Sequence, residues 1–133
     1  MNEPELIERM LRETKTIAVV GLSDSPDRAS FGVSRYMQKN GYRIVPVNPL
    51  KGSVLGEQSY ATLSDIPFKV DMVNVFRAPR YVAAIVDETI RLKIPYLWLQ
   101  EGVIDEEAAA RAEAAGIGVV MDRCLFKEHR FKV

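Results

Sequence analysis

Residues 16–41 read TIAVVGLSDSPDRASFGVSRYMQKNG. An apolar run at 17–20 is followed by a polar loop that opens on Gly21 and reaches Gly32. Val33, Tyr36 and Met37 then recur at helical spacing up to Asn40-Gly41. A strand apolar on both sides belongs inside a sheet covered on both faces. An Asn-Gly pair after a helical stripe ends a helix. A strand running through a loop into a helix is half of a βαβ unit, whose second strand lies parallel to the first. This one segment therefore commits the chain to an α/β architecture.

The remaining sequence repeats the alternation. Asn2 and Glu5 have capping-box spacing, and Leu6, Ile7, Met10 and Leu11 form one apolar face, so a first helix is expected over 3–14. A second strand is expected over 43–47, with Pro46 and Pro49 ending its regular pairing. Residues 49–69 make a long connection in which Tyr60 and Leu63 pack over the sheet, with a helical turn near Ser64 and Asp65. A third strand follows at 71–76, then a helix at 79–92 burying Val82, Ile85, Val86 and Ile90. A fourth strand spans 96–99. Asp105 caps a helix whose Ala108, Ala109, Ala112 and Ala115 form a small-residue face. Gly116 ends it, and the fifth strand spans 117–121.

Five strands alternating with helices predict a Rossmann-like, open, mainly parallel five-stranded sheet with helices on both faces. The expected organisation is one domain over 1–133, with no element assigned to the tail at 125–133. Right-handed crossovers gather the loops at 21–32, 48–56, 76–79, 100–102 and 122–124 along one edge. That is where open α/β sheets bind ligands, here expected between the loops after the first and fourth strands.

Charge and composition narrow the ligand. With 18 basic and 18 acidic residues the formal charge is zero, which speaks against a nucleic-acid partner. No run is long and apolar enough for a membrane span, and the first residues lack the pattern of a secretory signal. The single cysteine and single histidine support neither a disulfide framework, a Cys-His metal site nor a Ser-His-Asp triad. No metal ligands or catalytic residues are assigned, and the cytoplasm is the expected compartment.

Gly21 stands where the turn needs tight backbone access. Gly32 stands near the helix start, where a missing side chain lets a phosphate approach N–H groups. Ser23, Ser25 and Ser30 add hydroxyls and Arg28 a guanidinium. A dinucleotide fingerprint needs its glycines close together, yet Ser23 and Pro26 occupy those positions, and Asn48 stands where a ribose-binding acid belongs. No P-loop G-K-[ST] occurs. Lys51 and Arg77 follow strand ends and are placed to reach an additional phosphate, whereas Arg43 and Arg80 read as surface charges. Gln100 and Gly102 line the crevice, Trp98 belongs to the core, and Glu101 to the surface. Cys124 reads as a packing residue.

The stretches VVGLSDSPDRASFGV, GYRIVPVNP, LGEQSYATLSDIP, DMVNVFR and LWLQEGVIDEEAAARAEAAGIGVVMDRC cover nearly all of residues 14–124. In this order they resemble the small stand-alone CoA-binding proteins, which are similar to the CoA-binding domain of succinyl-CoA synthetase α subunits. The resemblance implies that coenzyme A is held by its nucleotide portion. Gly21, Ser23, Ser25, Arg28 and Ser30 would cradle its phosphates. Val47, Asn48 and Pro49, with Lys51, would approach the adenosine and its 3′-phosphate. Phe76, Arg77 and residues 100–102, including Gln100 and Gly102, would border the remainder. The synthetase's phosphorylated histidine comes from another domain, and no matching histidine occurs here. The expected function is a non-catalytic module for CoA or an acyl-CoA. The alternatives are a small CoA-dependent transferase or thiol-disulfide enzyme using Cys124, and a CoA-responsive interaction module with a homodimeric or other protein partner.

Overall fold

Alternation along the strands decides what each face of the sheet receives. In β1 (Thr16–Val20), Ile17 and Val19 enter one apolar cluster and Ala18 and Val20 the other. The computed structural model describes residues 1–49 and 52–132. Its main sheet joins β1 to β2 (Arg43–Val47), β5 (Met72–Val75), β6 (Tyr96–Leu99) and β7 (Gly118–Met121). The order is β2-β1-β5-β6-β7 and every pairing is parallel. A short antiparallel ribbon, β3 (Ser53–Val54) with β4 (Glu57–Gln58), lies in the connection after β2.

One face is covered by α1 (Pro4–Glu13), α2 (Ala29–Lys39) and α5 (Leu125–Lys132), which bury Ile7, Met10, Leu11, Val33, Met37 and Leu125. The other receives α3 (Val82–Arg91) and α4 (Glu106–Ala114), with Val82, Val86, Ala108, Ala109 and Ala112 inside. Trp98 is fully buried, and its indole N–H donates to the Arg123 carbonyl at 2.9 Å. Truncating such a side chain costs about 3–5 kcal/mol through lost burial and the void left behind. The expected α/β class and two-sided cover are thus present.

Several local expectations are corrected. Asn2 does not cap α1, whose N-cap is Glu3. Its side-chain amide instead pairs with the backbone of Met121, donating to the carbonyl at 2.9 Å and accepting from the N–H at 2.8 Å. Pro46 does not end the pairing of β2, which continues to Val47 opposite Val20. The Pro46 carbonyl faces away from β1 and accepts from Tyr60 N–H. Its missing N–H therefore falls on the outer side of an edge strand, where no β1 partner is lost. The third strand begins at Met72 and ends at Val75, one residue inside each expected bound.

The helix expected from Pro79 begins as a 3-10 turn, Pro79–Tyr81, with α3 following. Thr89 is fully buried on α3, while Ile85 and Ile90 are only half-buried. Ala115 caps α4 and is exposed, so it lies outside the small-residue face. Residues 125–132 form a helix.

Strand order also relocates the crevice. The expected arrangement put the fourth strand beside the first, but β5, third in the main sheet, pairs with β1. The order reverses between β1 and β5, and a ligand crevice forms at such a reversal.

Candidate functional site

The loop after β1 is held by backbone contacts that only glycine permits at its first residue. Gly21 has φ +88°, and its N–H donates to the Val47 carbonyl at 3.0 Å. A Cβ there would stand 2.8 Å from Arg77 Cδ and 2.9 Å from the Phe76 carbonyl oxygen. The chain leaving β5 therefore lies directly across the chain leaving β1. Phe76 N–H donates to the Val20 carbonyl at 2.9 Å, which fixes that crossing.

Beyond Gly21 the loop is braced from within. Ser23 N–H donates to Ser30 Oγ and Ser25 N–H to Ser23 Oγ, each at 3.0 Å. Ser30 is buried and ties the loop to α2. Asn48 Nδ2 donates to the Leu22 carbonyl, while Asn48 N–H donates to the Tyr60 carbonyl and Asn48 O accepts from Ser59 Oγ. Val47 and Asn48 thus brace the loop, and Pro49 is exposed beside them. Lys51 lies outside the described residues.

Helix α2 begins at Ala29 without a side-chain cap and without an acid in its first turn. The Arg28 carbonyl accepts from Phe31 and Gly32, so Gly32's amide is already used. The Ala29 and Ser30 amides have no carbonyl within the helix. Together with the positive end of the helix dipole they favour an anion. Gly32 has nothing within 4 Å of where a Cβ would stand, which leaves its side of the turn open. The Arg28 guanidinium is exposed and unpaired among the described residues.

Next to this loop runs a groove of about 430 Å³ between α2 and the loops after β5 and β6. Ala29, Val33, Phe76, Pro79, Val103 and Cys124 give it apolar walls, and Arg77, Gln100, Glu101 and Gly102 its polar ones. Gln100 is buried, and its Oε1 accepts from Leu125 N–H at 2.9 Å, joining the groove to the start of α5. Gly102 adopts φ +81° and donates to Asp122 Oδ1 at 2.8 Å. Glu101 pairs with Lys127 at 3.1 Å on the surface.

The structure therefore brings Gly21, Ser23, Ser25, Arg28, Ser30, Gly32, Val47, Asn48, Phe76, Arg77, Gln100 and Gly102 to one edge of the sheet. Sequence reasoning missed Tyr81 and its use of Arg80. The Arg77 guanidinium stacks 4.0 Å from the Tyr81 ring centre, and Arg80 donates to the Tyr81 hydroxyl. Both arginines lower the Tyr81 phenol's pKa, Arg80's hydrogen bond first. The signal was the short spacing of Arg77, Arg80 and Tyr81 after a strand. Ala29, Val33 and Val103 were also missed, because apolar groove walls look like core in a sequence.

Among the described residues no group of three or more His, Cys, Asp or Glu could hold a metal ion, and no helix is long and apolar enough to cross a membrane.

Comparison with known proteins identifies the family. A family described as "CoA binding domain" matches residues 15–130. The "Uncharacterized protein YneT" of Bacillus subtilis (strain 168) is 41% identical over 123 residues, 92% of this chain and 91% of that protein. The solved structure of "cell-free ID.343" from Thermus thermophilus is 37% identical with a TM-score of 0.93, covering 98% of this chain and 99% of that one. The acetate–CoA ligase (ADP-forming) II of Archaeoglobus fulgidus is 28% identical over 101 residues, 74% of this chain but 15% of the ligase. The chain belongs to the CoA binding domain family.

Proposed function

We propose that this chain binds coenzyme A or an acyl-CoA through its diphosphate and nucleotide, as a single cytoplasmic domain over residues 1–133 with no chemistry of its own. The observation that carries the reading is the braced loop after β1, which leads into an uncapped, acid-free helix start beside the groove. The diphosphate sits against the amides of Ala29 and Ser30 and over the open side of Gly32. Arg28 closes on it, and the Ser23 and Ser25 hydroxyls keep their protons free to donate. Val47, Asn48 and Pro49 border the adenosine, with Lys51 and Arg77 reaching the 3′-phosphate. The pantetheine arm runs along Phe76, Gln100 and Gly102.

Calorimetry with CoA, dephospho-CoA and NAD tests this directly. CoA should bind tightest and NAD weakest. Equal binding of all three, or none, would overturn it. Dephospho-CoA binding as tightly as CoA would remove Lys51 and Arg77 from the 3′-phosphate role.

One observation favours a second reading, a CoA-dependent transfer or thiol exchange at Cys124: the thiol residue lines the groove. In that case Cys124→Ser abolishes turnover and leaves CoA affinity intact. Unchanged turnover excludes it.

A further inference from the structure

A cleft larger than this groove lies at the opposite, amino-terminal edge of the sheet. It has a volume of about 650 Å³ and is lined by Arg12, Thr14, Lys15, Tyr42, His129 and Lys132, with Glu8 its one carboxylate among the described residues. That volume falls within the range of small-molecule sites. Among the described residues none of its three cationic side chains has a hydrogen-bond or ion-pair partner.

Two buried polar groups stand at the same cleft. Thr14 is 4% exposed, and its Oγ1 has no hydrogen-bond partner among the described residues. His129 is likewise 4% exposed. Its Nδ1 lies 2.8 Å from Tyr36 Oη, while Nε2 has no partner among the described residues.

Helix ends account for only part of this charge. α1, α2 and α5 all finish here, and Arg12 and Lys132 belong to last turns, where a cation offsets the negative end of the dipole. Several of the terminal carbonyls are already answered. Tyr42 Oη donates to Leu11 O at 2.7 Å, Asn40 Nδ2 to Tyr36 O at 2.8 Å, and Thr14 N–H to Met10 O at 3.0 Å. Lys15 lies on no helix; it follows the α1 cap and precedes β1. Its charge is left without a structural use.

We propose that this cleft is a second binding site, for a compact polyanion carrying phosphate or several carboxylates, held by Arg12, Lys15 and Lys132 over Thr14 and His129. The site is independent of the groove at the other edge.

The only histidine of the chain makes the test direct. Its imidazole resonance is followed by proton NMR while pyrophosphate, citrate or acetate is added to the full chain. Pyrophosphate or citrate should move the resonance saturably and acetate should not. The double variant Lys15→Gln/Lys132→Gln should bind the polyanion about tenfold more weakly, the order expected for removing two partly exposed charge contacts. Both lysines are exposed, so the fold should persist. Arg28→Ala, at the opposite edge, should leave the response intact. No movement with either polyanion, equal affinity in the double variant, or loss of the response in Arg28→Ala would each overturn the proposal.

Discussion

Replacing Gly21 by alanine tests the crossing of the two chains at the site. The new Cβ would meet a backbone oxygen, Phe76 O, at 2.9 Å, and Arg77 Cδ at 2.8 Å. The arginine methylene can swing aside; the carbonyl cannot, because its strand is fixed between β1 and β6. Holding a non-glycine residue at φ +88° costs about 1–2 kcal/mol, and overpacking adds about 1–3 kcal/mol. The sum is about 2–5 kcal/mol, read as a lower urea midpoint with an unchanged slope.

Gly32→Ala is the internal control. It lies within α2 with open space around it, so alanine should stabilise the free protein by about 0.5–1 kcal/mol. If the diphosphate sits over this residue, the same methyl weakens CoA binding. The two substitutions thus move stability in opposite directions. A Gly21→Ala protein within about 0.5 kcal/mol of its parent, the range of ordinary surface changes, would refute the reasoning.

Gln100→Ala should cost about 1–3 kcal/mol by leaving the buried Leu125 amide without its acceptor, and amide exchange should show α5 loosening first. Asn2→Ala removes both bonds to Met121 and places alanine at φ 64°. A loss of about 1–3 kcal/mol is expected in chemical denaturation, and no loss would mean the amide pairing is incidental. Burial holds the His129 pKa below its ordinary 6.5. The unfolded chain therefore binds the proton more readily, and this residue's contribution is fully present above about pH 6.5 and lost as the pH falls through the folded value. Melting temperature measured against pH should show that slope, and His129→Gln should flatten it.

Much of the architecture was legible because its signals are local. The apolar runs at 17–20, 43–47 and 96–99 were read to within a residue, and Asp105 caps its helix by accepting from Ala108 N–H at 3.0 Å. What failed depended on distant partners. Asn2 has the composition of a helix cap, but its better acceptor and donor lie on β7. Pro46 looks like a strand terminator until its neighbour on each side is known. Strand order is set by which side of β1 the chain takes after β2, and no residue in that connection announces the choice. At the site, Gly21 was legible as a tight turn. That Ser30 and Asn48 would brace the loop was not, since a hydroxyl or amide facing a ligand and one facing backbone are the same letter.

The pairing of Asn2 with Met121 has a consequence for how copies of this protein meet. β7 is an edge strand, and its last outward-facing N–H and C=O are taken by a side chain that imitates a neighbouring strand. At the far edge, Pro46 offers no N–H and its carbonyl is occupied by Tyr60. Both margins of the sheet are thereby blunted against strand addition, the route by which exposed edges lead to aggregation. Strand addition along the full length of either margin would have to displace one of these contacts.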